Sequence, residues 1–402
     1  MSKLQASGSS EAPVRPRQRY TSLDGLRGLA AVIVVIHHCF LLSPNFDTTY
    51  FTTLRPVTGS PLWWLSDTPL KLMTAGTEAV VIFFVLSGFV LTLPVLKRDN
   101  FDWRSYYPQR VTRLWLPVLA SVVLAGIWIA LAHQNIRKAL GPWIAQNSTP
   151  HLKIQSLVDA ADLFSGNFGI NGPLWSLQWE MIFSLALPLF VGLALVLKRR
   201  WILGLAAIVV LTFIGIHFPS GTLTYLPTFL VGAMIATQLP RIRELCDRIN
   251  TSRSRHLIWA IALFVACMLL ISTWLIGPMP QRFEVVSQAA RAIQPIAAGM
   301  IVIICLGWQP LATLFSTKPF QWAGKISFSL YLTHSPILIF ARYAFPHLPL
   351  GAVIAIGLGI AIPVAILFYW LIESRAHKLS KRVGHAIGTR FTAHFATTQQ
   401  PS

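Results

Sequence analysis

Acidic side chains are scarce. Fourteen Asp and Glu stand against 33 Lys and Arg in 402 residues, and charged residues of both signs make up only 12%. With 54% hydrophobic residues, this excludes an ordinary water-soluble domain. Cysteine is almost missing too. Cys39, Cys246, Cys267 and Cys305 give no disulfide framework, three of them lying inside apolar runs. There is no metal-ligand spacing, so no metal is predicted. There is no glycine-rich phosphate cradle and no 20–50-residue repeat, which argues against nucleotide-binding loops and solenoids.

Apolar runs near membrane length are what the chain has in quantity. Ten are found, at 24–44, 77–96, 111–133, 178–197, 201–218, 221–239, 257–276, 288–308, 326–345 and 349–373. They predict an all-α, polytopic membrane protein with ten transmembrane helices. Only Pro219-Ser220 separate the fifth and sixth runs, so these should form a tight hairpin. The first run has flanking charge and no small-residue cleavage site after it, so it is expected to be retained. Most basic residues fall in alternate connections. The intervening connections hold only Arg55, Lys71, Arg137, Lys138, Lys153 and Arg282, and Arg27, Arg113, Arg291 and Arg342 sit within spans. That asymmetry puts both termini in the cytoplasm. Basic loops beside anionic lipid account for the net charge of +19, so no nucleic acid partner is expected.

The expected organisation is a disordered cytoplasmic tail (1–19), a membrane domain (20–380) and a polar cytoplasmic tail (381–402). The outer connections 45–76 and 134–177 are long and carry Trp63, Trp64, Trp143 and Trp175. Loops of that length suit a cap over an outward cavity.

Arg27 and His38 are the most informative pair. Eleven helical residues turn through ~1100°, so both face the same way, ~16 Å apart along the axis, while His37 points ~80° aside. An ionisable residue within a membrane helix reads as functional. A cation and an imidazole on one face suit a site that binds an anion and moves a proton. The alternative is a snorkelling arginine and a histidine bonded across helices. Arg110 and Arg113 share a face at the same cytoplasmic end as Arg27, and guanidinium groups suit phosphate. Ser87-Gly88 lie near mid-depth, where small residues admit a neighbouring helix or a thin ligand. Glu78 is placed at the outer mouth, solvated. Trp175, Trp179 and Glu180 are placed on the outer side, as interfacial residues or as a platform and hydroxyl holder for an acceptor. His334 is expected ~12 Å in from the cytoplasmic side, among Ser327, Ser329, Tyr331 and Thr333. Glu373 is expected to pair with an arginine.

Five motifs in order resemble the acyltransferase-3 family of integral membrane O-acyltransferases. They are Arg27-x10-His38, Phe83-Phe84-Val85-Leu86-Ser87-Gly88-Phe89, Arg110-x-x-Arg113, Pro173-x-Trp175-Ser176-Leu177-x-x-Glu180, and Ser327-x-Ser329-Leu330-Tyr331-Leu332-x-His334. The resemblance covers roughly residues 20–375. It implies ten core helices, cytoplasmic acyl-CoA (often acetyl-CoA) as co-substrate, no tightly bound cofactor, and a hydroxyl on a cell-envelope glycan or small natural product as acceptor. It makes His38 catalytic and gives Arg27, Arg110 and Arg113 to the acyl donor. Ser87 would line the path of the pantetheine arm. Trp175, Glu180, His334 and Tyr331 would serve the acceptor or support His38. His38 would act as general base or through an acyl-histidine. The expected location is a cell membrane, multi-pass. The chain departs from the family pattern at Glu78-Ala79-Val80, at Phe183-Ser184 and at Arg375. A transporter, or an acyl-CoA sensor without turnover, is the competing class, though no inverted halves are visible.

Overall fold

The computed structural model describes residues 20–398 apart from 53, 99, 136–137, 165, 167 and 278–283. The tail 1–19 lies outside the described residues. Among the described residues there are helices and no strand. The large helices are α1 (Thr21–Leu41), α2 (Gly76–Leu96), α3 (Trp103–Leu131), α4 (Leu174–Leu185), α5 (Leu187–Val196), α6 (Trp201–His217), α7 (Gly221–Thr237), α8 (Leu239–Thr251), α9 (Arg255–Leu270), α10 (Glu284–Gly307), α11 (Lys318–Ala344), α12 (Leu350–Phe368) and α13 (Ser374–Thr398). The ten apolar runs fall on helices, but not one to one: the run 257–276 is broken after Leu270, with a short helix Ser272–Ile276 following α9. Among the described residues, five helices are long and apolar enough to cross a membrane, or up to seven if each bent pair is one span. The segment 381–398, expected as a polar tail, continues as helix α13 and its Gly384 carbonyl accepts a hydrogen bond from Ser105 at the start of α3.

Prolines punctuate the chain. The short helices Pro44–Phe51, Pro61–Ser66 and Pro142–Gln146, and the 3-10 turn Pro69–Thr74, each open on proline, whose missing N–H is no loss in a first turn. Pro188 has the opposite effect. It has no N–H for the Ser184 carbonyl one turn back, and α4 bends 69° into α5 there. The Tyr106 hydroxyl donates to that vacated carbonyl at 3.1 Å.

Two glycine contacts fix the core. Where α1 crosses α11, Gly28 lies against the backbone of Gly324, and Gly324 against the Asp24 carbonyl, too close for a Cβ on either. Where α2 crosses α7, Gly88 meets the Phe229 carbonyl and Gly232 the Val85 carbonyl. Gly88 thus serves helix packing, as small residues do between membrane helices. Around this crossing Phe84, Phe183 and Phe229 stack within one large apolar cluster.

Candidate active site

The Gly28–Gly324 crossing sets the register of two parallel helices. Arg27 Nη2 donates to the Gly324 carbonyl (3.1 Å), and three turns further along His38 Nδ1 lies 2.8 Å from His334 Nε2. The sequence placed the two histidines at different depths. They are level because α11 begins at Lys318, eight residues before the expected 326, so His334 is ~24 Å and His38 ~26 Å from the start of its helix.

The hydrogen bonds decide which nitrogen carries which proton. His334 Nδ1 lies 2.8 Å from the Leu330 carbonyl, which only accepts, so Nδ1 bears the hydrogen. His334 is fully buried, and among the described residues no carboxylate bonds either ring, so it is neutral and its Nε2 is a lone pair. His38 therefore donates from Nδ1, leaving Nε2 as its own lone pair. Nε2 has no partner among the described residues, and His38, unlike His37 and His334, keeps part of its surface accessible. One face of the ring is covered by Trp143, stacked at 5.2 Å and 27°.

Toward the start of α1 the three arginines converge. Arg113 feels the charges of Arg110, Arg27, Glu180 and Glu373. Their roles differ. Arg110 is buried, its Nη2 paired with Glu180 at 2.5 Å and its Nε donating to Ser184 Oγ at 2.9 Å. Ser87 Oγ donates to the same Glu180 oxygen at 3.2 Å. Arg113 is exposed, and Arg27 is half-buried with Nε unpartnered. This corrects the placement of Glu180. It does not stand at the outer mouth beside an acceptor but sits at the level of Arg110 and Ser87. Its helix begins at Leu174 and bends after Leu185, instead of running straight from 178. Glu373 accepts from Ser329 Oγ at 2.5 Å, within electrostatic range of Arg27 and Arg113, and forms no direct arginine pair among the described residues.

Tyr331 is also structural in its contacts. Its hydroxyl donates to the Pro173 carbonyl (3.1 Å) and lies 2.7 Å from Ser176 Oγ, pinning the entrance of α4. Trp175 packs on Phe84 and Tyr225, and Trp179 on Tyr225. The two long connections meet over His38. The Asp47 carboxylate accepts the Trp143 N–H at 2.9 Å, beside Gly141, whose φ of +104° brings its Cα close to that oxygen. Burial pushes the Asp47 carboxyl up to about 6, opposed by that N–H. The sequence named Trp143 as a loop tryptophan and missed its place on the histidine.

A second polar cluster lies beyond His37. The His37 ring packs on Tyr50 and Phe46. Lys71, fully buried, holds its ammonium 3.9 Å from the Trp274 ring centre, and the Trp274 N–H donates to Glu78 at 2.9 Å. Glu78 is buried, not solvated as expected. Burial pushes the Lys71 amine down to about 8, opposed by Glu78 and Asp67. Among the described residues no group of His, Cys, Asp and Glu is arranged to hold a metal ion.

The arrangement combines a partly exposed imidazole, oriented by a second imidazole, with guanidinium groups at one end of the same helix pair. It can accept a proton at His38 and attract an anion ~16 Å away at the arginine end. The sequence matches the family profile described as an acyltransferase domain over residues 20–370. It is 27% identical over 335 residues to acyltransferase MdmB of Streptomyces mycarofaciens, covering 80% of this chain and 79% of that protein. To the O-acetyltransferase PaAT-1 of Phomopsis amygdali it is 27% identical over 404 residues, covering 83% and 76%. To the peptidoglycan O-acetyltransferase OatA of Listeria monocytogenes it is 25% identical over 348 residues, covering 80% of this chain but 50% of the relative, so it spans half that protein's length. No solved structure is significantly similar.

Proposed function

The chain belongs to the acyltransferase-3 family of membrane O-acyltransferases, and from that premise we propose that it moves an acyl group, acetyl by family habit, from cytoplasmic acyl-CoA to a hydroxyl of a cell-envelope glycan or a small natural product. In this reading the protein sits in a cell membrane with ten spans and both termini cytoplasmic. The observation that carries the chemistry is the unpartnered Nε2 of His38, whose Nδ1–H is held by His334.

Acyl-CoA docks with its phosphates near Arg113 and Arg27, which have N–H groups to spare. Arg110 adds charge at the same mouth while holding Glu180 and, through it, Ser87. The thioester reaches His38 from the arginine end and the acceptor hydroxyl from the opposite end. His38 Nε2 takes the hydroxyl proton as the oxygen bonds to the thioester carbonyl carbon. The carbon–sulfur bond then breaks, and the proton leaves with sulfur as the CoA thiol. An imidazole suits both proton steps. His334 touches no reacting atom and is a positioning residue.

Purified His38→Ala protein is expected to insert normally and lose transfer by about 10²–10⁴-fold. Wild-type rates would overturn the assignment. Arg113→Ala is expected to raise the acyl-CoA concentration needed for half-maximal rate; unchanged donor affinity would remove Arg113 from the donor site.

A further inference from the structure

A proton taken up at His38 Nε2 leaves the ring positively charged until that proton passes to sulfur. A charge so far from water needs a partner. Among the described residues no carboxylate bonds the ring. His334 is neutral and fully buried, so handing it the Nδ1 proton would only move the charge deeper. His37 is buried too, and its ring is tilted 59° to His38 at 5.6 Å. Lys71 acts on His37 from beyond and has the wrong sign, while Glu78 is bonded to Trp274. Asp47 bonds the Trp143 N–H and neither ring.

Trp143 is the side chain that faces the imidazole. The ring centres are 5.2 Å apart and the planes 27°, so the indole presents its face and not its edge. An aromatic face is the negative pole of the ring's quadrupole, and indole attracts cations best, within about 6 Å of its centre. The ring is held in place. It is buried in the apolar cluster that includes Val35 and Cys39 of α1 and Leu330 of α11. Its backbone N–H donates to Asp47 at 2.9 Å, and its carbonyl accepts from Asn147 Nδ2 at 2.9 Å. A leucine would cover the imidazole as well, but it carries no such pole.

We propose that Trp143 stabilises the imidazolium form of His38 through its π face, in the role that a carboxylate plays beside the histidine of a hydrolytic triad. The inference rests on the acyltransferase reading above. The charge appears when Nε2 takes the proton of the attacking hydroxyl. It vanishes when that proton reaches the sulfur released by the breaking carbon–sulfur bond. The indole engages neither nitrogen, so Nδ1 stays with His334 and Nε2 stays free for the hydroxyl. Its attraction is strongest while the ring is charged, so it lowers the barrier more than it tightens substrate binding. Trp143 touches no reacting atom and is a positioning residue that acts through His38.

The test places fluorinated tryptophans at position 143 alone in the purified full-length protein. Acetyl-CoA is the donor and water the acceptor, giving acetate and the free CoA thiol, whose release is followed. Each added fluorine weakens the negative face and scarcely changes the shape of the ring. From no fluorine to three, the turnover number should fall stepwise, about tenfold in all, with the melting temperature and the half-saturating acetyl-CoA concentration unchanged. A residue that merely covers the histidine would not produce that series. Trp143→Leu should lower turnover about 5- to 30-fold, and Trp143→Phe by less. A flat fluorine series, in a protein whose CoA release is abolished by His38→Ala, overturns this role alone. No CoA release by wild type, or undiminished release by His38→Ala, overturns the acyltransferase reading and this role with it.

Discussion

Replacing His334 with alanine removes the acceptor that holds His38 Nδ1 at 2.8 Å. A neutral hydrogen bond of this kind is worth about 0.5–1.5 kcal/mol net, so loss of orientation should slow turnover by roughly 2- to 12-fold. Removing the base itself should cost about 10²–10⁴-fold. The two histidines are thus expected to differ by about eightfold or more, because His334 has no nitrogen free: Nδ1 is held by Leu330 and Nε2 by His38. The half-saturating acyl-CoA concentration should not move, since His334 touches none of the arginines. His334→Gln offers a carbonyl oxygen in place of Nε2 and should recover part of the rate. Initial rates of free CoA release from purified protein measure all four quantities. A His334→Ala loss equal to that of His38→Ala, with no recovery by glutamine, would refute the positioning role of His334.

Arg110→Met leaves Glu180 without its cation in a largely buried site and should destabilise the protein by about 3–5 kcal/mol. Adding Glu180→Leu should restore most of it, and a double variant no more stable than the single in chemical denaturation would contradict the pairing. Asp47 titrates about 6 in the fold against 3.8 ordinarily, so the folded state binds the extra proton between those values. Stability should fall as pH rises through that window, with the penalty complete above it. Asp47→Asn keeps an oxygen for the Trp143 N–H and should flatten that fall and raise the melting temperature at pH 7. Parallel wild-type and variant curves would argue against the buried carboxyl.

The rotation of α1 was readable because Arg27 and His38 lie on one unbroken helix, where spacing alone sets direction. That the chain is helical throughout was readable because its apolar runs are long, while the expected ten spans compare with five to seven helices or bent pairs of membrane length among the described residues. The His38–His334 bond was not, since it depends on where α11 starts, and Lys318 to Lys325 are too polar to count in an apolar run. Glu180 was misplaced for a related reason. Hydropathy shows a span's centre but not a 69° bend, and the bend follows from Pro188, whose effect on depth needs the partner helices. Trp143 reaches His38 through a connection whose path has no periodicity to read.

Three guanidinium groups at one mouth would hold a polyanion tenaciously. Glu180 and Glu373 lie among them and offset two of the three charges. In the proposed mechanism, what remains would recruit a phosphorylated donor without detaining it after the thioester is spent. Neutralising either carboxylate should therefore make the departing thiol a stronger product inhibitor, trading capture for residence time.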